Sequence, residues 1–366
     1  MKIASVEPFH ISVPYDYGGP LQKADSIPWR NMETLLVKVT TDAGVTGWGE
    51  GFGFTICGTT GYAVTHAIAP LAVGRDSRNI AALVNDIARK QHNCSRNGPV
   101  AFALSALDIA LWDIAGKLAG QPLYRLLGGA ETVERMPAYA SLLRYGKAEL
   151  VERKSAEAVE QGYSRVKLHE IGTAEVAVAR KAMGPGIKLM VDTNCPWTAD
   201  QAIAMAKEFA PHDLLWIEEP VWPPEDYAAM ARVRRDGGVA VAAGENGGTF
   251  ADFVQLIETA HVDYVQPSVT KIHGITGMLR VVELARSHGT TVAPHSPYFG
   301  PGLIATMHLA ASMPEAPPIE RFYLELEASP LGDWTNARDG HMPIPQGPGL
   351  GVDIDEAIIA KYRVGT

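Results

Sequence analysis

The chain has 366 residues, of which 46% are hydrophobic and 20% are charged. This length exceeds that of most single domains, and the composition is that of a folded protein rather than a disordered one. The formal net charge is −9 and no run of Lys and Arg occurs, which argues against a nucleic-acid partner. The sequence has no apolar run long enough to span a membrane and no apolar signal core at its start, so we predict a cytoplasmic protein without membrane contact.

The first predicted elements form a β-hairpin. Residues 34–40 (TLLVKVT) and 45–50 (VTGWGE) have strand composition, and the turn signal DAG lies between them. The segments that follow are helical, most clearly residues 100–118, whose apolar positions cover most of the helix surface. We therefore predict an α+β domain in residues 1–130.

From about Met136 the pattern changes to short apolar runs that alternate with Ala-rich helical stretches. The runs are apolar on both faces, which is typical of parallel strands covered by helices, and their spacing of roughly 22 to 29 residues suits successive βα units. A Rossmann sheet is the structural rival, but no Gly-rich phosphate-binding motif follows the first strand. We predict an α/β fold with a closed barrel in residues 131–328, and we expect residues 329–366 to pack back on the N-terminal domain. The predicted strands are PAYAS, SRVKLHE, IKLMVDTN, LLWIEEP, VAVAAGE, VDYVQPS and TTVAPHS.

Three acidic residues close three successive predicted barrel strands. Asp192, Glu218 and Glu245 are separated by 26 and 27 residues, one βα unit each. The carboxyl ends of barrel strands form one rim, so these side chains are expected to lie together. Oxygen ligands suit Mg²⁺, and a cation explains why carboxylates that would repel are grouped. A helix N-cap or a surface ion pair is the alternative for any one of them, but the common register of all three favours a metal site.

Basic side chains are predicted on the same rim. Lys167 and His169 are two residues apart in SRVKLHE, so both point into the barrel mouth from an extended strand. A cationic neighbour would lower the pKa of Lys167 towards that of a general base, whereas the structural alternative is a buried lysine–carboxylate pair. His295, at the end of TTVAPHS, lies several strands further round the barrel and is a candidate acid or base.

These motifs together resemble the enolase superfamily, and within it the mandelate racemase-like group of acid-sugar dehydratases and racemases. The resemblance covers nearly the whole chain and implies an α+β capping domain, made from both chain ends, over a (β/α)₇β barrel, which is a modified TIM barrel. It rests on VTGWGEG, ALSALDIALWDIAGKLAGQPLYRLLGG, VKLH, VDTN, WIEEP, GEN, VQPSVTKIHGITG, the late histidine and the PGPGLG tail.

The resemblance implies roles for these residues. Asp192, Glu218 and Glu245 would bind Mg²⁺, which holds the substrate carboxylate and stabilises the enediolate formed when the α-proton leaves. Lys167 stands where a Lys-x-Lys motif supplies the base, and His295 stands where the late barrel histidine of the family acts.

Three further site residues follow from the same resemblance. Glu325 in FYLELEASP stands where a glutamate hydrogen-bonds the substrate carboxylate, with Glu320 and Glu327 as competitors for the last strand. Asn194 and Asn246 follow metal-ligand segments, and we expect them to orient ligands or substrate oxygens.

The sequence departs from the family pattern at two positions. His169 replaces the second lysine of the Lys-x-Lys motif, and Ser268 occupies the position of the aspartate in a His-Asp dyad. Without that aspartate we expect His295 to be less basic, which disfavours a racemase that needs two comparable bases. We therefore predict a dehydratase in which Lys167, aided by His169 and Mg²⁺, removes the α-proton and His295 protonates the departing β-hydroxyl, giving a 2-keto acid.

The substrate is predicted to be a small carboxylate. We expect the loop of residues 15–31 to close over it, with Lys23, Trp29 and Arg30 as contact candidates. The alternatives are an epimerase, racemase or lactone cycloisomerase that uses the same enediolate, and a non-catalytic metabolite-binding barrel. Family habit suggests a homo-oligomer.

Overall fold

The computed structural model describes residues 1–24, 27–129 and 132–365, and the side chains of residues 23, 24 and 27 also lie outside that description. The N-terminal part is an antiparallel sheet covered by helices. Its first strand and its fourth strand pair along almost their whole length, and the fourth pairs with the fifth, which confirms the predicted hairpin. The strands are β1 (Ile3–Asp16), β2 (Gln22–Ala24), β3 (Ile27–Trp29), β4 (Asn31–Thr41) and β5 (Thr46–Gly51), and the helices are α1 (Cys57–Ala63), α2 (Ala69–Ala72), α3 (Ile80–Lys90), α4 (Pro99–Ala119) and α5 (Leu123–Leu126).

Helix α4 lies directly against strand β5. A Cβ atom on Gly49 would lie 1.9 Å from the carbonyl oxygen of Ala106, and one on Gly47 would lie 2.1 Å from that of Ala110. The glycines of VTGWGEG therefore permit this close approach. Helix α4 has the length and hydropathy of a membrane span, but most of its side chains are buried in the core of the fold.

Eight parallel strands form the barrel, and their order around it follows the chain. The eighth strand returns to pair in parallel with the first, and seven helices connect the strands, so the predicted (β/α)₇β architecture is confirmed. The strands are β6 (Arg135–Leu142), β7 (Arg165–Leu168), β8 (Lys188–Asp192), β9 (Leu214–Glu218), β10 (Val241–Ala243), β11 (Tyr264–Val265), β12 (Thr291–Val292) and β13 (Ile319–Phe322), and the helices are α6 (Ala148–Glu160), α7 (Thr173–Met183), α8 (Ala199–Phe209), α9 (Tyr227–Asp236), α10 (Phe250–Glu258), α11 (Gly274–His288) and α12 (Pro301–Ser312).

The barrel interior is packed below its rim. Tyr139, Met190, Trp216, Ala242 and Ala293 form one buried cluster contributed by five different strand segments. This layer fills the barrel, so polar side chains one or two residues further along each strand are held at the carboxyl rim.

The chain after β13 adds to both domains. The two-residue strand β14 (Glu325–Leu326) pairs antiparallel with the end of β1. Strand β15 (His341–Pro343) pairs with the start of β6, and α13 (Glu356–Tyr362) buries Ile359 against the cap sheet.

Candidate active site

A cavity of about 450 Å³ lies between the barrel rim and the cap. The barrel supplies its floor and the cap its roof, as expected for a site at the carboxyl ends of parallel strands. Barrel residues around it are Leu143, Arg144, His169, Asn194, Glu245, His295, Pro297, Glu320 and Phe322, and cap residues are Gln22, Trp29, Phe54 and Thr55.

The three predicted metal ligands meet at one side of this cavity. Asp192 is the last residue of β8, Glu218 is the last residue of β9, and Glu245 follows β10 by two residues. One carboxylate oxygen from each can be chosen so that all lie within 4.8 Å of one another. Asp192 and Glu218 are fully buried. The structure therefore brings the three together, as the spacing predicted.

The charge balance at this cluster suits a divalent cation. Burial first, and then the Asp192 charge, raises the pKa of Glu218 well above its usual range. Glu320 adds a fully buried carboxylate beside these three, and Lys167 contacts Asp192, Glu218 and Glu320. An all-oxygen donor set with this excess of negative charge fits Mg²⁺, which Asp192, Glu218 and Glu245 would hold.

Lys167 lies below the cavity rather than in it. Its Nζ is 3.0 Å from Asp192 Oδ2, 2.8 Å from Glu218 Oε1 and 2.8 Å from Glu320 Oε1, and the side chain is fully buried. Burial alone would lower the pKa of Lys167, but these carboxylates raise it well above its usual range. In this structure Lys167 is a buried, charged partner of the carboxylates, which is the structural alternative weighed for it; its action as the base stays a prediction.

His169 is the basic side chain that reaches the cavity from this strand. Its Nδ1 lies 2.6 Å from the carbonyl oxygen of Leu142, which can only accept a hydrogen bond. We therefore assign the proton of the neutral imidazole to Nδ1, and Nε2 is left as a proton acceptor. Nε2 lies 3.3 Å from Asp192 Oδ2.

His295 lies across the cavity, one residue after Pro294 in the loop that follows β12. Its Nδ1 is 2.6 Å from Ser268 Oγ, and its Nε2 is 3.0 Å from Glu245 Oε2. Tyr298 donates its hydroxyl hydrogen to Ser268 Oγ at 2.8 Å. Ser268 thus occupies the place of a dyad aspartate as a neutral hydrogen-bond partner, and it leaves Nε2 to face the cavity.

The glutamate of the last barrel strand is Glu320, and the choice of Glu325 is wrong. Glu320 lies in β13, lines the cavity and is fully buried. It accepts hydrogen bonds from Ser141 Oγ at 2.8 Å and from the Ser296 backbone N–H at 3.1 Å. Glu325 is exposed in β14, where it pairs with the cap strand β1. The alternating run PIERFYLELE suits a strand throughout, so only the pairing of β13 with β6 fixes which glutamate is on the rim.

The two predicted asparagines differ in position. Asn194 lines the cavity and donates from Nδ2 to Asp192 Oδ1 at 2.9 Å, so it orients a candidate metal ligand. Asn246 instead lines a neighbouring cavity with Arg96 and Glu219.

Of the three candidates in the cap loop, Trp29 lies at the cavity. Trp29 lines the cavity and packs edge-on against Phe54, with ring centroids 5.3 Å apart. Arg30 is exposed and lines a separate cavity. The side chain of Lys23 lies outside the described residues.

The sequence reasoning missed two residues that line the cavity, Arg144 and Gln22, and one residue behind His295, Tyr298. Arg144 follows β6, Gln22 lies at the start of β2, and Tyr298 follows His295 by three residues. Arg144 had a usable signal, because it lies just beyond a predicted barrel strand, where side chains face the active rim. Gln22 and Tyr298 depend on the path of irregular loops, for which the sequence gives no comparable signal.

The fold and site together define a capped (β/α)₇β barrel protein with an acidic metal-site triad and two histidines on one rim. Residues 150–358 match the family described as enolase C-terminal domain-like, and residues 20–128 match the N-terminal domain of the mandelate racemase/muconate lactonizing enzyme family. The chain belongs to this family of the enolase superfamily, and the resemblance drawn from its motifs is confirmed.

Its relatives are enzymes with different reactions. A 3,6-anhydro-α-L-galactonate cycloisomerase of Streptomyces coelicolor is 30% identical over 353 residues, covering 92% of each chain. A D-galactonate dehydratase of Ralstonia pickettii is 31% identical over 356 residues, covering 89% of this chain and 90% of the relative. A racemase from Streptomyces coelicolor, solved with bound magnesium, superposes with a TM-score of 0.86 at 27% identity, over 99% of this chain and 100% of that one. Membership therefore establishes the superfamily and leaves the particular reaction open.

Proposed function

We propose that the protein is a Mg²⁺-dependent dehydratase that removes the α-proton of a hydroxy carboxylate and expels a β-hydroxyl as water, giving a 2-keto acid. The observation that carries this proposal is the pair of histidines that face one cavity from β7 and from the loop after β12, beside an acidic triad. Elimination needs one group to take a proton and another to protonate the leaving oxygen, and this arrangement supplies both.

A bound Mg²⁺ would hold the substrate carboxylate and stabilise the negative charge that develops on it when the α-proton leaves. Asp192, Glu218 and Glu245 supply its ligands, and Asn194 fixes the orientation of Asp192. Lys167 lies beneath the cavity and holds Asp192, Glu218 and Glu320 in place through its contacts with one carboxylate oxygen of each.

His169 is proposed to take the α-proton at Nε2, because Leu142 holds the ring proton on Nδ1. This assignment replaces Lys167, whose ammonium group is enclosed by carboxylates.

His295 is proposed to deliver a proton from Nε2 to the departing hydroxyl. This nitrogen lies on the cavity side of the ring, 3.0 Å from a carboxylate oxygen of Glu245. Ser268 Oγ contacts Nδ1 on the other side of the ring and holds the imidazole in this orientation. The product enol then tautomerises to the 2-keto acid.

Cycloisomerisation is the second candidate, because relatives at 30% identity carry that activity. The same two histidines would then act on a cyclic substrate, in which the leaving oxygen is a ring oxygen and no water is released. Racemisation is disfavoured, because it needs two comparable bases and the two histidines have unlike partners. Nδ1 of His169 contacts a backbone carbonyl, whereas Nδ1 of His295 contacts the hydroxyl of Ser268.

The test is a screen of hydroxy acids and their lactones with Mg²⁺, in which 2-keto acid formation and α-proton exchange in deuterated water are both measured. We expect an open-chain hydroxy acid to give a 2-keto acid, and a chelator to abolish the reaction until Mg²⁺ is restored. A keto product from the lactone alone would establish the cycloisomerase instead. Exchange without any keto product would point to an epimerase, and tight binding without either signal to a metabolite-binding protein.

A further inference from the structure

The side of His295 that faces away from the cavity belongs to a buried hydrogen-bonded group. Nδ1 lies 2.6 Å from Ser268 Oγ and 3.3 Å from the Tyr298 hydroxyl oxygen, and that oxygen lies 2.8 Å from Ser268 Oγ. Ser268 is fully buried, and Tyr298 and His295 are only 6% and 5% exposed. Both hydroxyl hydrogens therefore need acceptors within this group.

The two hydroxyl hydrogens favour one arrangement, in which every donor has a partner. Tyr298 donates to Ser268 Oγ, and Ser268 donates to Nδ1 of His295, which accepts. If Nδ1 instead carried a hydrogen and donated to Ser268, the Ser268 hydroxyl would have to donate to Tyr298. Tyr298 would then need another acceptor, and Thr270 Oγ1, the other hydroxyl beside it, makes no hydrogen bond within the described part of the chain.

The opposite nitrogen of His295 has the complementary partner. Nε2 lies 3.0 Å from Glu245 Oε2, and an ionised carboxylate can only accept a hydrogen bond. Glu245 therefore favours a hydrogen on Nε2, in agreement with the contacts of Nδ1. An aspartate at position 268 would instead accept from Nδ1–H and leave Nε2 without a hydrogen, so the hydroxyl pair reverses the tautomer.

We propose that Ser268 and Tyr298 are positioning residues that hold neutral His295 in the Nε2–H tautomer, so that His295 meets the substrate as a donor and not as a base. When Nδ1 gains a proton, Ser268 Oγ can accept it through a lone pair, and Nε2 keeps its hydrogen. The inference rests on the proposed function for what this donor does. The α-proton is then removed only from the side of His169, which fixes the configuration of the substrate at that carbon.

The protons balance over one turnover. The imidazolium of His295 loses its Nε2 proton to the departing hydroxyl, which leaves as water, and the ring becomes neutral. His169 gains the α-proton and releases it to solvent water. His295 takes up a proton at Nε2 from solvent water before the next turnover, so no other reactant is needed.

The tautomer is measured by two-dimensional ¹H–¹⁵N NMR of the Mg²⁺-loaded protein labelled with ¹⁵N-histidine. The pH is about 8.5, where an imidazole with the ordinary pKa of about 6.5 is neutral. The signals of His295 are those lost in His295→Gln. His169, whose Nδ1 contacts the Leu142 carbonyl oxygen, is the reference for the Nδ1–H form.

His308 is the reference for the Nε2–H form. Its Nδ1 accepts the backbone N–H of Tyr124 at 3.3 Å, and its Nε2 lies 3.1 Å from the carbonyl oxygen of Leu350. Burial lowers the pKa of His308 to about 4, so this ring stays neutral during the measurement.

We expect the His295 signals of the wild type to match the Nε2–H form. Ser268→Asp should move the hydrogen to Nδ1, because the new carboxylate accepts from it. Tyr298→Phe should give a mixture of the two forms, because Ser268 Oγ loses its donor and its hydroxyl can turn. Tyr362→Phe, which removes a hydroxyl on α13 that donates to Glu327, is the control and should match the wild type.

A wild-type His295 with its hydrogen on Nδ1, or with hydrogens on both nitrogens at this pH, overturns the proposal. An unchanged Nε2–H form in Ser268→Asp does so as well. The wild-type spectrum decides the tautomer even if a variant does not fold. The Nε2–H form in a protein that gives no keto acid would support the role of Ser268 and Tyr298 and count against the proposed dehydration, whereas the Nδ1–H form in an active dehydratase would overturn only the former.

Discussion

At the residue scale, the chemistry depends on two histidines with different partners. His169 donates Nδ1–H to a backbone carbonyl, whereas His295 faces a hydroxyl that itself accepts from Tyr298. A carbonyl fixes one tautomer, and a hydroxyl permits the ring to gain or lose a proton. This difference underlies the assignment of the base to His169 and the acid to His295.

Replacement of each histidine by asparagine separates the two steps. We expect His169→Asn to lower turnover and α-proton exchange together, by roughly a hundredfold or more. His295→Asn should abolish keto-acid formation but retain exchange in deuterated water, because the base remains. The exposed His92→Asn is the control. Loss of exchange in His295→Asn with exchange retained in His169→Asn would reverse the roles.

Ser268 acts through His295 in this scheme. Ser268→Ala removes the partner of Nδ1, so we expect kcat to fall roughly tenfold with KM nearly unchanged, because the ring loses its orientation. Ser268→Thr keeps the hydroxyl and should restore much of the rate. Equal losses in both variants, measured by steady-state kinetics, would indicate a packing defect instead.

The candidate site residues differ in what their position depends on. Asp192, Glu218 and Glu245 followed from strand ends one βα unit apart, and a barrel places such ends together. Lys167 was placed in the right strand, but the alternation of side chains does not say that it ends beneath the carboxylates while His169 reaches the cavity. Depth along a strand depends on three-dimensional packing.

At the element scale, the hairpin formed by β2 and β3 covers the cavity. Tyr15 donates its hydroxyl to the Trp29 carbonyl oxygen at 2.9 Å, and its ring packs on the indole with centroids 5.4 Å apart. Phe54 supports the other side of the indole. The roof is thus an aromatic cluster that is anchored to β1 and to the short 3₁₀ turn, Phe54–Ile56, that precedes α1.

Removal of the Trp29 indole should loosen this roof. We expect Trp29→Ala to raise KM for the substrate roughly tenfold with a smaller effect on kcat, because the indole closes the cavity rather than touching the reacting hydrogen. Tyr62→Ala, which removes an exposed aromatic side chain of α1, is the control. A loss confined to kcat would place Trp29 in the chemical step.

At the scale of the whole molecule, the repeating βα pattern predicted the barrel. The return of the C-terminal segment to the N-terminal domain was expected in outline, but the strand pairing that joins them did not follow from local pattern. The pairing of β14 with β1 links residues more than three hundred positions apart, and no local signal specifies such a partner. The long strand β1 also escaped prediction, because its buried and exposed positions do not alternate regularly. Local periodicity reveals elements, and long-range pairing decides how cap and barrel join.

Glu50 makes one of the contacts between the cap and the barrel. It lies on β5, is buried, and accepts the backbone N–H of Gly302 at 2.8 Å at the start of α12. Burial raises the pKa of Glu50 to about 8, above the ordinary value of about 4.3 expected in the unfolded chain. The folded protein therefore binds this proton more tightly, so the stabilising contribution is complete below about pH 4 and is lost as the pH rises towards about 8.

We predict that the free energy of unfolding falls as the pH rises across this window. In Glu50→Gln this decrease should be smaller than in the wild type by on the order of 4 kcal/mol. The measurement is urea denaturation between about pH 5 and about pH 8, in the presence of a fixed Mg²⁺ concentration. The slope with pH decides the outcome, because a glutamine cannot titrate, whatever its effect on absolute stability. Glu152→Gln, at an exposed position on α6, should leave the slope unchanged. If the free energy of unfolding depended on pH equally in the wild type and in Glu50→Gln, Glu50 would be ionised throughout this range and neighbouring groups would compensate its charge.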